Sequence, residues 1–307
     1  MIDCRLALWS NFDMAEVVRV EGLHKSFKKG FIPRKQEVLR GVDFTVSSGV
    51  ITGFLGANGA GKTTTMKSLL GLAFPDQGSI TFFGDKPISP EVKRRIGFLP
   101  EHPYFYNYLT GGEFLKFYGE LSTKLKRVDL KGRIEALLKK VDLWHARDKK
   151  LKDYSKGMLQ KIGVAQALIH DPEFVILDEP MSGLDPDGRY YLAEIIRETA
   201  SMGKAVFFSS HHLLDAERLC ANLVILRDGR VIYEGETEKL LLSMGHQSSI
   251  TYLASGEKKS VSAPSLDEAQ VLIDGLRKDG ATIFEVRQDR VSLEEAFVKI
   301  ALRGQNA

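Results

Sequence analysis

The stretch Val50-Ile51-Thr52-Gly53-Phe54-Leu55 runs directly into Gly56-Ala57-Asn58-Gly59-Ala60-Gly61-Lys62-Thr63-Thr64. A short apolar run that ends in glycines is the pattern of a buried strand feeding a phosphate-binding loop. Thr63–Leu70 then reads as a helix. The order strand, glycine loop, helix is the one that phosphate chemistry requires. Glycines let backbone N–H groups curl around phosphate oxygens, and the helix N-terminus adds a favourable dipole. In such a loop Lys62 would reach the β- and γ-phosphates, while the Thr63 hydroxyl would ligate magnesium. The other reading, a chance glycine-rich turn, fits this context poorly. The loop points to a nucleotide.

Further along, Phe174-Val175-Ile176-Leu177-Asp178-Glu179 is an apolar strand that ends in two carboxylates. Neighbouring side chains on a strand point to opposite faces, so the pair can divide two tasks. Asp178 would hold magnesium, and Glu179 would position or deprotonate an attacking water. The alternative for the pair is a helix N-cap, a position that Asp and Glu favour.

The rest of the chain alternates strands with helices, which predicts a largely parallel sheet. Strands are expected at 17–21, 41–46 and 205–209, with helices at 158–169, 189–200 and 213–221. Residues 223–226 and 231–233 read as a hairpin around Asp228-Gly229. Lys28 to Gln36 reads as a solvated basic loop. Glu113 to His145 carries helical periodicity and interrupts the α/β pattern. After about Ser243 a small α+β unit follows, with strands at 250–254, 260–263 and 282–287 and helices at 266–278 and 293–302. Met1–Asp13 reads as a loosely ordered extension. The expected domains are therefore 1–15, 16–243 and 244–307.

The 307 residues carry a net charge of +3 with the basic residues scattered, which argues against a nucleic-acid partner. Cys4 and Cys220 are too far apart in sequence for a disulfide framework or a metal site, which suits a reducing cytosol. No stretch approaches the roughly 20 apolar residues that span a bilayer. Any membrane connection would come through a partner.

With these residues in place the chain resembles an ATP-binding cassette (ABC) protein over roughly residues 16 to 240. Tyr154-Ser155-Lys156-Gly157-Met158 resembles the signature of that family, and Ser182-Gly183-Leu184-Asp185-Pro186 its D-loop. His211 matches the switch histidine, and Phe27 stands where an aromatic stacks on adenine. Lys156 and Met158 replace the usual glycine and glutamine of the signature, and Glu101 stands where many cassettes have glutamine. Both departures look like the branch that powers exporters.

The resemblance implies a cassette with a mostly parallel sheet core, an antiparallel β subdomain and a helical subdomain at about 102–165, plus the small C-terminal appendage. It implies an ATPase that uses ATP and Mg2+. The nucleotide would meet Phe27, Gly56, Asn58, Gly59, Ala60, Gly61, Lys62, Thr63, Thr64 and Asp185, with Ser155 and Gly157 completing a site on a second cassette. The metal would meet Thr63, Asp178 and Glu101, and Glu179 and His211 would be catalytic. Implied partners are transmembrane permease subunits and a second copy or paralogous cassette, at the inner face of the cell membrane. The rival is a cassette protein with no permease, acting in translation or on DNA. Phe27 as core, and His211 and His212 as ordinary half-buried histidines, are the alternatives at those positions. Tyr104, Phe105, Tyr106 and Tyr108 either pack the helical block or form a groove for a helix of the membrane subunit.

Overall fold

A computed structural model describes residues 15–29, 34–122, 127–244, 246–254, 257–263 and 266–303. The expected extension Met1–Asp13 lies outside the described residues. By internal contacts the chain divides into two units, one ending at Glu234 and one beginning at Gly235.

The first unit opens with β1 (Glu16–Lys29) and β2 (Arg34–Ser47), then β3 (Ile51–Leu55) and α1 (Lys62–Leu69). Next come β4 (Gln77–Phe82), α2 (Pro90–Lys93) and β5 (Ile96–Leu99). The helices α3 (Gly111–Ser122), α4 (Arg127–Lys140) and α5 (Lys156–Leu168) follow. The unit continues with β6 (Phe174–Asp178), α6 (Pro186–Ser201), β7 (Ala205–Ser210) and α7 (Leu213–Leu219). It closes with β8 (Asn222–Arg227) and β9 (Arg230–Glu236), whose last two residues belong to the second unit.

The main sheet has the order β5-β6-β7-β3-β8-β9. Its pairs β5/β6, β6/β7, β7/β3 and β3/β8 are parallel, as the alternating pattern predicted. Strands β3, β6 and β7 are buried at every residue, which is why they read as continuous apolar runs rather than as alternation. The turn at Asp228 (φ 49°) and Gly229 (φ 77°) has the left-handed pair that a tight hairpin needs.

A second sheet, β2-β1-β4, is antiparallel and packs on the first through Phe44, Phe54 and Phe207. Phe44 stacks on Phe207 at 5.4 Å, and Phe54 tilts against Phe207 at 4.9 Å. The basic loop expected at 28–36 is corrected here. The ladder continues through Phe27↔Gln36, Lys28↔Lys35 and Lys29↔Arg34, so the lysines decorate paired strands. Backbone pairing, rather than side-chain apolarity, carries this hairpin, and that is why the sequence hid it.

The second unit contains α8 (Thr237–Ser243), β10 (His246–Ala254), β11 (Glu257–Ala263), α9 (Leu266–Lys278), β12 (Thr282–Arg290) and α10 (Leu293–Arg303). Its antiparallel sheet has the order β11-β10-β12. The small core gathers Ile250, Ala263, Ala269 and Ile273, with Val261, Leu276 and Ile283 around them.

Candidate functional site

The loop between β3 and α1 is shaped by close backbone approaches. A Cβ on Gly56 would lie 2.4 Å from Leu226 O, so only glycine fits. Gly61 takes φ 113° at the N-cap of α1, a conformation that side chains rarely adopt. Gly229 N donates to Ala60 O at 3.0 Å and ties the loop to the β8–β9 turn. Helix α1 has no side-chain cap and no acidic residue in its first turn. The first amides of a helix lack intrahelical acceptors, so this end is open to an anion.

Asn58, Gly59 and Thr63 are exposed, and Thr64 is half-buried on α1. Lys62 folds back over the loop, where its Nζ donates to Gly56 O and, at 3.3 Å, to Ala57 O. Burial lowers the pKa of Lys62, while the charges of Glu179, Asp178 and Glu101 pull it back up. All three carboxylates therefore act on the lysine.

Asp178 is the last residue of β6 and pairs with Ser209 of β7 across the parallel ladder. Ser209 Oγ donates to Asp178 Oδ1 at 2.6 Å and accepts from Glu179 N at 3.0 Å. One hydroxyl thus fixes both acidic residues. Burial raises the pKa of Asp178, and Glu101 pushes the same way; the Ser209 bond and Lys62 oppose them.

The strand alternation expected for the acidic pair stops at Asp178. Glu179 has φ 50° and precedes Pro180, so it leaves the strand on a left-handed turn. Such a conformation costs roughly 1–3 kcal/mol in a non-glycine residue and persists only where the surroundings hold it. The turn aims the carboxylate at His211. Glu179 Oε2 lies 2.7 Å from His211 Nδ1 and accepts from His211 N at 3.3 Å. The helix-cap alternative for the pair fails, because α6 begins only at Pro186 and is capped by Asp185.

Asp185 Oδ1 accepts from Gly188 N at 2.9 Å and caps α6. Ser155 caps α5 by accepting from Met158 N at 3.2 Å. Ser155 is exposed, Gly157 is half-buried, and no acidic residue occupies the first turn of α5. Glu101 is exposed beyond the end of β5. Phe27 is 45% exposed with Lys25 Nζ 5.4 Å from its ring centre, which excludes a core role. His212 is half-buried at the N-cap of α7, its Nε2 3.5 Å from Arg189 Nη2.

The sequence reading gave no role to Ser209 or Gln160. Ser209 stands two residues before His211 at the end of β7, and it is fully buried there. Gln160 is a polar residue, 6% exposed, in the first turns of α5; a glutamine among apolar helix positions was the available signal.

Comparison with known proteins gives this geometry its context. Residues 39–182 match the family described as ABC transporter. An uncharacterized ABC transporter ATP-binding protein of Synechocystis sp. is 40% identical over 93% of this chain and 84% of the relative. The chain belongs to the ABC transporter ATP-binding proteins. It is an ATPase cassette and the ATP-binding subunit of an ABC transporter. A fluoroquinolones export ATP-binding protein of Mycobacterium tuberculosis is 33% identical, with 94% of each chain covered. A solved ATP-binding subunit of an ABC transporter superposes with a TM-score of 0.69 at 28% identity, covering 93% of this chain and 99% of the other.

The cassette also carries a cleft of about 510 Å³ between β5 and the helical block. Tyr104, Phe105, Phe114 and Tyr118 line it, with Lys93 and Arg94 also contributing. Tyr104 and Tyr108 are exposed, whereas Phe105 and Tyr106 are half-buried and pack on Phe114 and Phe117. The aromatic run therefore packs the helical block through Phe105 and Tyr106 and leaves Tyr104 and Tyr108 on the surface. Among the described residues no helix is long and apolar enough to cross a membrane.

Proposed function

We propose that this cassette powers export by closing on a second cassette around ATP. The observation that carries the reading is the network Asp178–Ser209–Glu179–His211 beside Lys62. Lys62 and the open amides of α1 would take the β- and γ-phosphates, and Phe27 would stack on adenine. Glu179 Oε2 is engaged by His211, which leaves Oε1 to accept a proton from the attacking water. His211 would hold that carboxylate in line.

Thr63, Asp178 and Glu101 offer hard oxygen donors, one hydroxyl and two carboxylates. That sparse set suits Mg2+, which keeps several waters and binds phosphate oxygens. When bound, Mg2+ neutralises charge that develops on the phosphates.

Ser155 and Gly157, at the exposed start of α5 whose first turn carries Lys156 and no acidic residue, would complete the ATP site of the second cassette. The aromatic cleft would seat a helix of the permease subunits, holding the cassette at the cytoplasmic face of the membrane. Export as the direction rests on the fluoroquinolone-export relative and on the departures at Lys156, Met158 and Glu101. Glu179→Gln tests the central point. It should lower ATP turnover by about 100-fold or more while ATP still binds, and should trap a dimer visible by size-exclusion chromatography. Normal turnover would remove Glu179 from the role of base.

A further inference from the structure

Gln160 is buried, lies outside the loop and the acidic pair, and makes one directed bond: its Nε2 donates to Pro180 O at 2.8 Å. Pro180 follows Glu179, the residue held at φ 50°. A residue before proline is already restricted, so a left-handed one must be fixed from several sides. Three bonds do this. Ser209 Oγ accepts from Glu179 N, Ser182 N donates to Glu179 O at 3.1 Å, and Gln160 holds the next carbonyl.

The first two anchors belong to the sheet and to the turn itself, whereas the third comes from α5. That helix is gripped at its far end by α4, where Arg133 donates to Leu168 O at 2.8 Å and to Ile169 O at 3.1 Å. Its near end carries Ser155. Anything that shifts α5, from the helical block or from the Ser155 end, therefore reaches the Glu179 turn through one side-chain amide.

We propose that Gln160 is a positioning residue that sets the Glu179 carboxylate and makes it respond to the placement of α5. The inference rests on the reading of Glu179 as the base. It predicts that losing the amide donor lowers the rate of the chemical step and leaves nucleotide affinity alone.

Gln160→Met keeps the side-chain length and removes the donor. In the full-length protein it should lower kcat for ATP at least tenfold, with KM within twofold and a Tm lowered by only a few degrees, the cost of one lost buried hydrogen bond. Placed in the Glu179→Gln background, it should cost nothing further, because the group it positions is already gone. Gln160→Glu supplies an independent readout, since a carboxylic acid can donate to Pro180 O and a carboxylate cannot. Its rate relative to the parent should therefore fall as pH rises, while Tm measured at the same pH values tracks folding.

A Gln160→Met enzyme as fast as the parent overturns the proposal. So does a large rise in KM together with a collapse of Tm, or a Gln160→Glu ratio that is flat with pH. If Glu179→Gln itself turns over normally, the reading of the base falls first. A dead Glu179→Gln beside a normal Gln160→Met overturns this inference alone.

Discussion

The two units of this chain are both built from strands and helices, yet only the first concentrates polar chemistry. Its main sheet is covered so fully that β3, β6 and β7 have no exposed residue. At the ends of these strands Asp178, Glu179, Ser209 and Ser210 remain below a tenth exposed. The second unit has a three-stranded sheet with a small core, and leaves Leu253, Phe284 and Val286 largely open. Burial in a low-dielectric edge strengthens each charge interaction and penalises each unpaired one. A thin sheet with a wet face cannot do this. The lesson is that the chemistry sits where the sheet is thick enough to dry it.

The largest test of that contrast is Lys62→Ala. It removes the cation that balances Asp178 and Glu179, so ATP binding should weaken by about 100-fold or more and turnover should vanish. Equilibrium binding of a fluorescent ATP analogue reads this directly, and unchanged affinity would break the assignment of the loop. Phe27→Ala should come next. Base stacking is worth about 1–3 kcal/mol, so the KM for ATP should rise roughly tenfold with kcat little changed. If GTP and ATP suffer equally, the ring is a general stacking platform.

Asp178→Asn tests the dry edge through stability. Burial raises the folded pKa of Asp178 above its ordinary value. The folded state therefore favours the protonated form, a contribution fully present below the ordinary pKa and lost as pH rises through the raised one. The asparagine variant never carries that charge. In the absence of nucleotide its Tm should exceed the parent's at neutral pH, and the gain should shrink on acidification, while magnesium-dependent hydrolysis is lost. A Tm difference that is independent of pH would mean that Asp178 is not held against its charge.

The smallest effect belongs to the second unit. Phe284→Ser on β12 deletes an exposed ring whose centre lies 4.2 Å from Lys258 Nζ. Stability should change by less than about 1 kcal/mol, and ATPase rate should not change at all. A large loss of either would show that this sheet face matters to the cassette.

Much of the first unit was legible because buried parallel strands and amphipathic helices leave strong patterns. The phosphate loop was legible for a different reason: a strand, a glycine loop and a lysine at fixed spacing are all local. Strands β4 and β5 were not. The β4 sequence, Gln77–Phe82, is exposed over its first half, and β5 has only four residues, too few for a period to show. The basic hairpin end at Lys28 and Lys29 was hidden because a ladder of backbone bonds needs no apolar side chains. In the site, Glu179 looked like the next residue of a strand, since nothing local announces that a glutamate will take φ 50°.

By itself the sequence determined that a nucleotide-binding loop, an acidic pair and a signature-like helix start occur in one chain, because each is a short run with its own chemistry. Only the tertiary structure decided how they act on one another. Ser209 and His211 come from β7 and its exit, and Gln160 from α5, all distant in sequence from Glu179. The orientation of a buried carboxylate is set by such non-local hydrogen bonds. These follow from which strands lie side by side, and no local stretch of residues records that.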